Sequence, residues 1–246
     1  MVRNIFFLIL IIGLLSCNGD DDKKGDINLR FHLLYDGQPM EMFKEYPYPG
    51  TNEAFYLSRL SFYMSDVSIS NGSTDKNIFD LDYLNLTAAF TGNIPTNGYP
   101  FRIADAPVGE YTHLTFNIGI PKASNAKSPA QYPAGHILSF PAEYWDSWKS
   151  YVFFKTEGSI KFKDNAPDET DFALHLGGDE ALRKISLNKV FTVKDGKTTD
   201  IDITLDVKKY FNALSTYDIH DTQKIHSLSQ MPLIHQLMDN LAKAFE

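Results

Sequence analysis

The sequence predicts an all-β protein: a single antiparallel β-sandwich or barrel-like domain with a C-terminal α-helix. Three observations carry that expectation. Apolar and polar residues alternate over successive stretches of the chain, and a period of two marks a strand whose side chains point to opposite faces in turn. Gly and Pro interrupt those stretches about every ten residues, the rhythm of a sandwich or barrel rather than of strands alternating with helices. Near the end the period changes. Leu233, Ile234, Leu237, Met238, Leu241 and Phe245 recur at helical spacing behind Pro232, a residue suited to a first helical turn. No internal repeat or second compositional regime appears, so one domain is expected over residues 27–246.

The amino terminus reads as a leader. Arg3 supplies a short cationic start, and residues 5–15 form an apolar run too short to span a bilayer as a permanent helix. Leu14-Leu15-Ser16-Cys17 then resembles a bacterial lipobox, in which the Cys becomes the lipidated first residue of the mature protein. Residues 1–16 are therefore expected to be a lipoprotein signal peptide, with Cys17 as the lipidation site. Cys17 is the single cysteine, so no internal disulfide can form. Residues 17–26 follow as a flexible acidic tether with nothing to bury. Acid runs just after such a Cys resemble the surface-export signal of Bacteroidetes lipoproteins. The expected location is the bacterial cell envelope, anchored by lipid to the outer membrane and facing the periplasm or the surface.

Beyond the tether, residues 27–34 alternate, with Leu29, Phe31 and Leu33 on one face and Arg30 and His32 on the other. Asp36-Gly37 makes a turn, and residues 38–48 form a loop whose Met40 and Met42 are either packing residues or soft metal ligands. Residues 54–70 read as one long strand or two with a bulge, closed by the turn pair Asn71-Gly72. A strand pair is expected over 79–90, a polar loop over 91–98, and strands over 99–103 and 112–118 around a turn at 107–111. Residues 121–141 are long, proline-rich and small-residued, and loops of that length in compact domains are usually functional or mobile. They lead into residues 142–158, which hold both tryptophans, Trp145 and Trp148, ahead of the apolar run 151–154. Strands are then expected over 159–163 and 171–176, the second placing His175 opposite Phe172, Leu174 and Leu176. Residues 184–194 and 199–207 read as a hairpin about Asp195-Gly196, residues 211–222 as irregular, and the terminal helix begins near 227.

Composition excludes some functions. A formal net charge of −8 and scarce basic clusters argue against nucleic acid, which needs a cationic footprint. The chain has no G-x-S-x-G, H-E-x-x-H or phosphate-cradling glycine loop, and no pair of carboxylates can be matched from spacing, so no catalysis is expected. A metal site must rest on the seven histidines, at 32, 113, 136, 175, 220, 226 and 235, none paired at zinc-finger or zincin spacing. Such a site has to be assembled from distant strands and loops. Imidazole without thiolate, with methionine and indole at hand, leans toward copper.

Five blocks carry a resemblance: FYLSRLSFYMSDVSIS (55–70), APVGEYTHLTFNIGI (106–120), YWDSWKSYVFFKTEG (144–158), FALHLGG (172–178) and the terminal IHSLSQMPLIHQLMDNLAKAF. In order, they resemble the MbnP-like family, named for a periplasmic copper-binding protein associated with methanobactin. The resemblance implies an all-β extracytoplasmic copper-binding protein, with Cu+ as the bound ion and a diheme peroxidase-like enzyme as a partner that oxidises a Trp to kynurenine. By position, Trp145 matches the first Trp of the family's M-x-W-x-W block, with Tyr151 at the matching distance behind it. His175 matches the His of F-x-x-H-x-G-G, His32 the first-strand His, and His226 falls in the terminal His-bearing block. The chain departs from the pattern at Glu143, where the family has Met, and at Ser147, with the second Trp one place later at Trp148. The expectation from a different class is a surface lipoprotein that binds a glycan or protein through the aromatic-rich loops 40–48 and 131–148.

Overall fold

The structure, a computed structural model, describes residues 23–165 and 168–246; the expected signal peptide, 1–16, and lipidation site, Cys17, lie outside the described residues. Strands of eight or more residues are β1 (Lys24–Tyr35), β2 (Ala54–Ser70), β3 (Asp75–Asn85), β4 (Tyr99–Pro107), β5 (Gly109–Ile118), β6 (Ser150–Lys161), β7 (Thr170–Gly177), β8 (Arg183–Val193) and β9 (Thr198–Asp206). Helices α1 (Val207–Asn212) and α2 (Met231–Ala244) follow them.

Alternation in the sequence becomes alternation in burial. In β1, Ile27, Leu29, Phe31 and Leu33 are at most 1% exposed, while Asn28, Arg30 and His32 between them stay partly open. Among the described residues the strands form two sheets. β1 is the centre of the smaller, with β9 on one side and β4 on the other. The larger runs β8-β5-β2-β6-β7 and ends in the short strand Lys224–Ile225, with β3 paired to the second half of β2.

The two inner faces meet in an aromatic core. Phe31 lies edge-on at 6.0 Å from Phe62 and 6.5 Å from Phe116, and Phe62 stacks on Phe154 at 5.9 Å. Removing each such ring from water contributes about 1.5–3 kcal/mol, and the edge-to-face arrangement suits the ring quadrupoles. One end is closed by the helices. Phe211 of α1 packs on Tyr48 and Phe55, and Phe245 beyond α2 packs on Phe62 and Phe116. Glu246 exchanges two backbone hydrogen bonds with Thr204 of β9, tying the carboxyl end to the smaller sheet. No helix among the described residues is long and apolar enough to cross a membrane.

The β-sandwich with its C-terminal helix is as expected, but the wiring differs in places. The sheets are mixed rather than wholly antiparallel: β1 runs parallel to β9, and β7 parallel to Lys224–Ile225. Alternation fixes the two faces of a strand and carries no information on the direction of its neighbour. Asp195-Gly196 turns the chain without making a hairpin ladder, because β8 pairs with β5 and β9 with β1; the turn passes the chain from one sheet to the other. The stretch 79–90 holds a single strand, β3, followed by a 3₁₀ turn at Ala88–Phe90. β6 runs unbroken to Lys161, so no separate strand begins at Ser159. A Cβ on Gly158 would lie 1.9 Å from the Tyr56 carbonyl oxygen. The glycine there admits close approach of β2 and does not end a strand. β1 begins at Lys24, within the 17–26 stretch expected as tether, and residues 207–212 form α1.

Candidate metal centre

On β7, Phe172, Leu174 and Leu176 point into the core, so Asp171, Ala173 and His175 belong to the outer face of the larger sheet. Opposite His175 in the antiparallel ladder is Lys155 of β6, with Glu157 two pairs along, opposite Ala173 and on the same face. Two segments fold over this part of the face. Tyr144–Trp145 pairs with the start of β6, and the chain between them turns tightly: Trp148 N–H donates to the Trp145 carbonyl at 3.0 Å, and Lys149 takes φ of +50° to re-enter the sheet. Lys224–Ile225 adds to the edge of β7 in parallel, with Ala173 beside Lys224 and Leu174 beside Ile225. That register brings the following residues, His175 and His226, side by side. Their rings stack at 4.8 Å and 24°, a separation equal to the spacing of neighbouring strands.

Trp145 completes the group. Its ring lies edge-to-face at 5.0 Å from His175 and 5.3 Å from His226. Trp148 stands behind it at 4.5 Å, donates its indole N–H to the His226 carbonyl at 3.1 Å, and packs over Gly177, where a Cβ would come within 3.2 Å of the ring. Trp145 touches both imidazoles, whereas Trp148 holds the turn to the segment that bears His226.

The polar partners set the chemistry. His175 Nε2 lies 2.8 Å from Glu157 Oε1, and a carboxylate only accepts, so the proton sits on Nε2 and the lone pair on Nδ1. Nδ1 is buried and has no hydrogen-bond partner. Burial pushes the His175 pKa down to about 4; Glu157 opposes the shift, and Lys155 and His226 add to it. Burial also lowers His226, helped by Lys224 and Lys155 and opposed by Glu157. Both rings are thus held neutral at physiological pH, the form that ligates metals.

A buried ion network fastens the Trp145 turn. Lys155 and Glu143, 7% and 6% exposed, form an ion pair. Glu143 Oε1 also accepts from Arg59 at 2.6 Å and from the Tyr83 hydroxyl at 2.9 Å. The buried Lys155 ammonium and the partly exposed Arg59 guanidinium account for an acid at position 143.

The structure brings Trp145, His175 and His226 together and leaves His32 out. His32 sits on β1 in the other sheet, its Nε2 2.8 Å from Asp202. Alternation puts it on an outward face, but of a different sheet, so the structure does not bring it to His175 as the sequence expectation had it. Met40 and Met42, at 0% and 1% exposure, are core residues. Sequence reasoning missed Glu157 and Lys155, whose link to His175 lies only in the register between β6 and β7.

Among the described residues no three of His, Cys, Asp and Glu are grouped to hold a metal ion. The donor set is two neutral imidazoles beside an indole, with one imidazole nitrogen buried and unpartnered. That set is poor for zinc, which takes three or four N, S or O ligands, and fits a soft ion of low coordination number.

A family model described as MbnP matches residues 24–229. Among solved structures, MbnP from Methylosinus trichosporium is similar, with a TM-score of 0.50 and 16% identity over 77% of this chain and 78% of that one. At that identity the likeness concerns the fold. No curated protein matches the chain.

Proposed function

Because the chain belongs to the MbnP family, we propose that it is an extracytoplasmic copper-binding protein that acquires or handles copper without turnover. His175 and His226 would hold the ion, with Trp145 alongside. The observation that carries the proposal is the buried, unpartnered Nδ1 of His175, in a ring that Glu157 fixes in one tautomer and His226 stacks upon. An orphaned buried nitrogen is costly unless something binds it. Copper(I) suits a pair of neutral imidazoles with no thiolate.

The finer parts of the proposal rest on the sequence. Cys17 would anchor the protein by lipid to the outer membrane, facing the periplasm or the surface. Trp145 would be the residue converted to kynurenine: a diheme peroxidase-like partner would use peroxide to cleave the indole C2–C3 bond, and hydrolysis of the resulting N-formyl group would release C2 as formate. Ring opening would leave an aniline nitrogen and a carbonyl beside both imidazoles, turning a donor-only side chain into a ligand. Trp148 is the less suitable choice, since its N–H is already bonded.

The test is competition for Cu+ against a chromophoric chelator. Wild type is expected to withdraw one equivalent of Cu+, and His175→Ala to lose that uptake while remaining folded. Equal, weak uptake by both would defeat the proposal. Intact-mass measurement after co-expression with the diheme enzyme, followed by peptide mapping, tests the modification of Trp145 separately. A second reading, docking of a glycan or protein partner, draws on the exposure of Phe43 and Phe140, 53% and 57%, in the loops 40–48 and 131–148.

A further inference from the structure

The outer face of the larger sheet is covered at one end only. Beside the covered end lies an open groove of about 360 Å³ between β2, β6, β7 and the segment at 224–226. Its floor is low because the residues there are small: Ser58, Ser159 and Ala173. Its inner end is formed by Glu157 and His226. His175 does not line it and meets it only through Glu157 on Nε2, so His226 is the imidazole that a cation in the groove reaches first, before the Nδ1 side of the stacked His175 ring. The hollow on the other side of the centre, about 230 Å³ beyond Trp148, is lined by neither imidazole.

Charge favours the same side. An adjoining hollow of about 680 Å³ shares Asp171 and Lys224 with the groove and adds Glu169 and Asp221. Glu169 is paired with Lys161, and Asp171 accepts from the Ser159 hydroxyl. Counting Glu157, the two hollows present four carboxylates against one cation of their own lining, Lys224. A concave surface with an excess of one sign concentrates the opposite ion and speeds its arrival.

We infer that this groove is the route by which a metal cation reaches and leaves the His175–His226 pair, with Asp171 drawing it in and the small side chain of Ala173 keeping the way open. The inference rests on the copper-binding reading above. A route differs from a ligand in a measurable way. Obstructing it slows arrival and departure by the same factor and leaves the affinity unchanged.

The experiment uses Ag+, a redox-inert stand-in for Cu+, mixed rapidly with the protein while tryptophan fluorescence reports its arrival beside Trp145. Ala173→Phe, checked for folding by thermal melting, should slow association and dissociation together, by about tenfold or more, with the dissociation constant unchanged. Asp171→Asn, which needs no extra room, should slow association severalfold at low salt and flatten its dependence on ionic strength. Rates equal to wild type in both variants would overturn the route and leave the metal centre standing. An altered affinity in Ala173→Phe without matched rates would also overturn it, by making Ala173 part of the site. Failure of wild type to bind Ag+ at all would overturn the route together with the copper-binding reading.

Discussion

His175 shows how one residue can be readable in sequence while its chemistry is not. Its position between Leu174 and Leu176 assigns it to the outer face of a strand, and the resemblance gives it a role. Its state depends on neighbours that no spacing reveals: Lys155 across the ladder, Glu157 on its Nε2 and His226 along its edge. Those neighbours lead to a pH dependence with a definite sign. The folded ring takes a proton only near pH 4, whereas the unfolded ring takes one near 6.5. Between those values the unfolded chain binds the extra proton, so stability is lost as pH falls from about 6.5 to about 4 and is flat below. Urea denaturation of the metal-free protein at about pH 7 and about pH 4.5 should show this loss, and His175→Leu should show a smaller one. An equal loss in both would assign the slope to other groups. His32 illustrates the opposite limit: the same alternation and the same family argument mark it, yet it belongs to β1 and bonds to Asp202.

At the level of elements, the strands were legible wherever one face is buried, because burial forces a period of two. Partners and connections were less so. Gly158 resembles a strand end in sequence and proves to be a close crossing between β6 and β2. Gly158→Ala should therefore destabilise the fold by about 1–3 kcal/mol through overpacking against the Tyr56 backbone, seen as a lowered thermal midpoint. An unchanged midpoint would mean that β2 can shift freely. The two-residue strand Lys224–Ile225 is too short to give any periodic signal, yet its parallel register on β7 is what sets His226 beside His175. The Trp145 turn is likewise fixed by long-range partners, Lys155, Arg59 and Tyr83 meeting Glu143, that become neighbours only once the sheet is assembled.

The whole molecule divides its labour between the two sheets. The smaller sheet, with α1 and α2, closes the aromatic core, and the larger sheet offers an outer face whose covered end holds the aromatic and imidazole cluster and whose open end forms the acid-lined groove. The sandwich and its terminal helix could be read from periodicity, since they follow from burying one face of each strand; the site could not, since it is assembled from three segments spread over residues 145–226. In the function proposed for this protein, His175 and His226 hold one copper ion jointly. X-ray absorption at the copper edge of the Cu+-loaded protein tests it most directly. Joint ligation gives nearest-neighbour scattering from nitrogen or oxygen and more distant scattering from two imidazoles, falling to one in His226→Ala. A sulfur shell, or an imidazole count unmoved by that substitution, would contradict it.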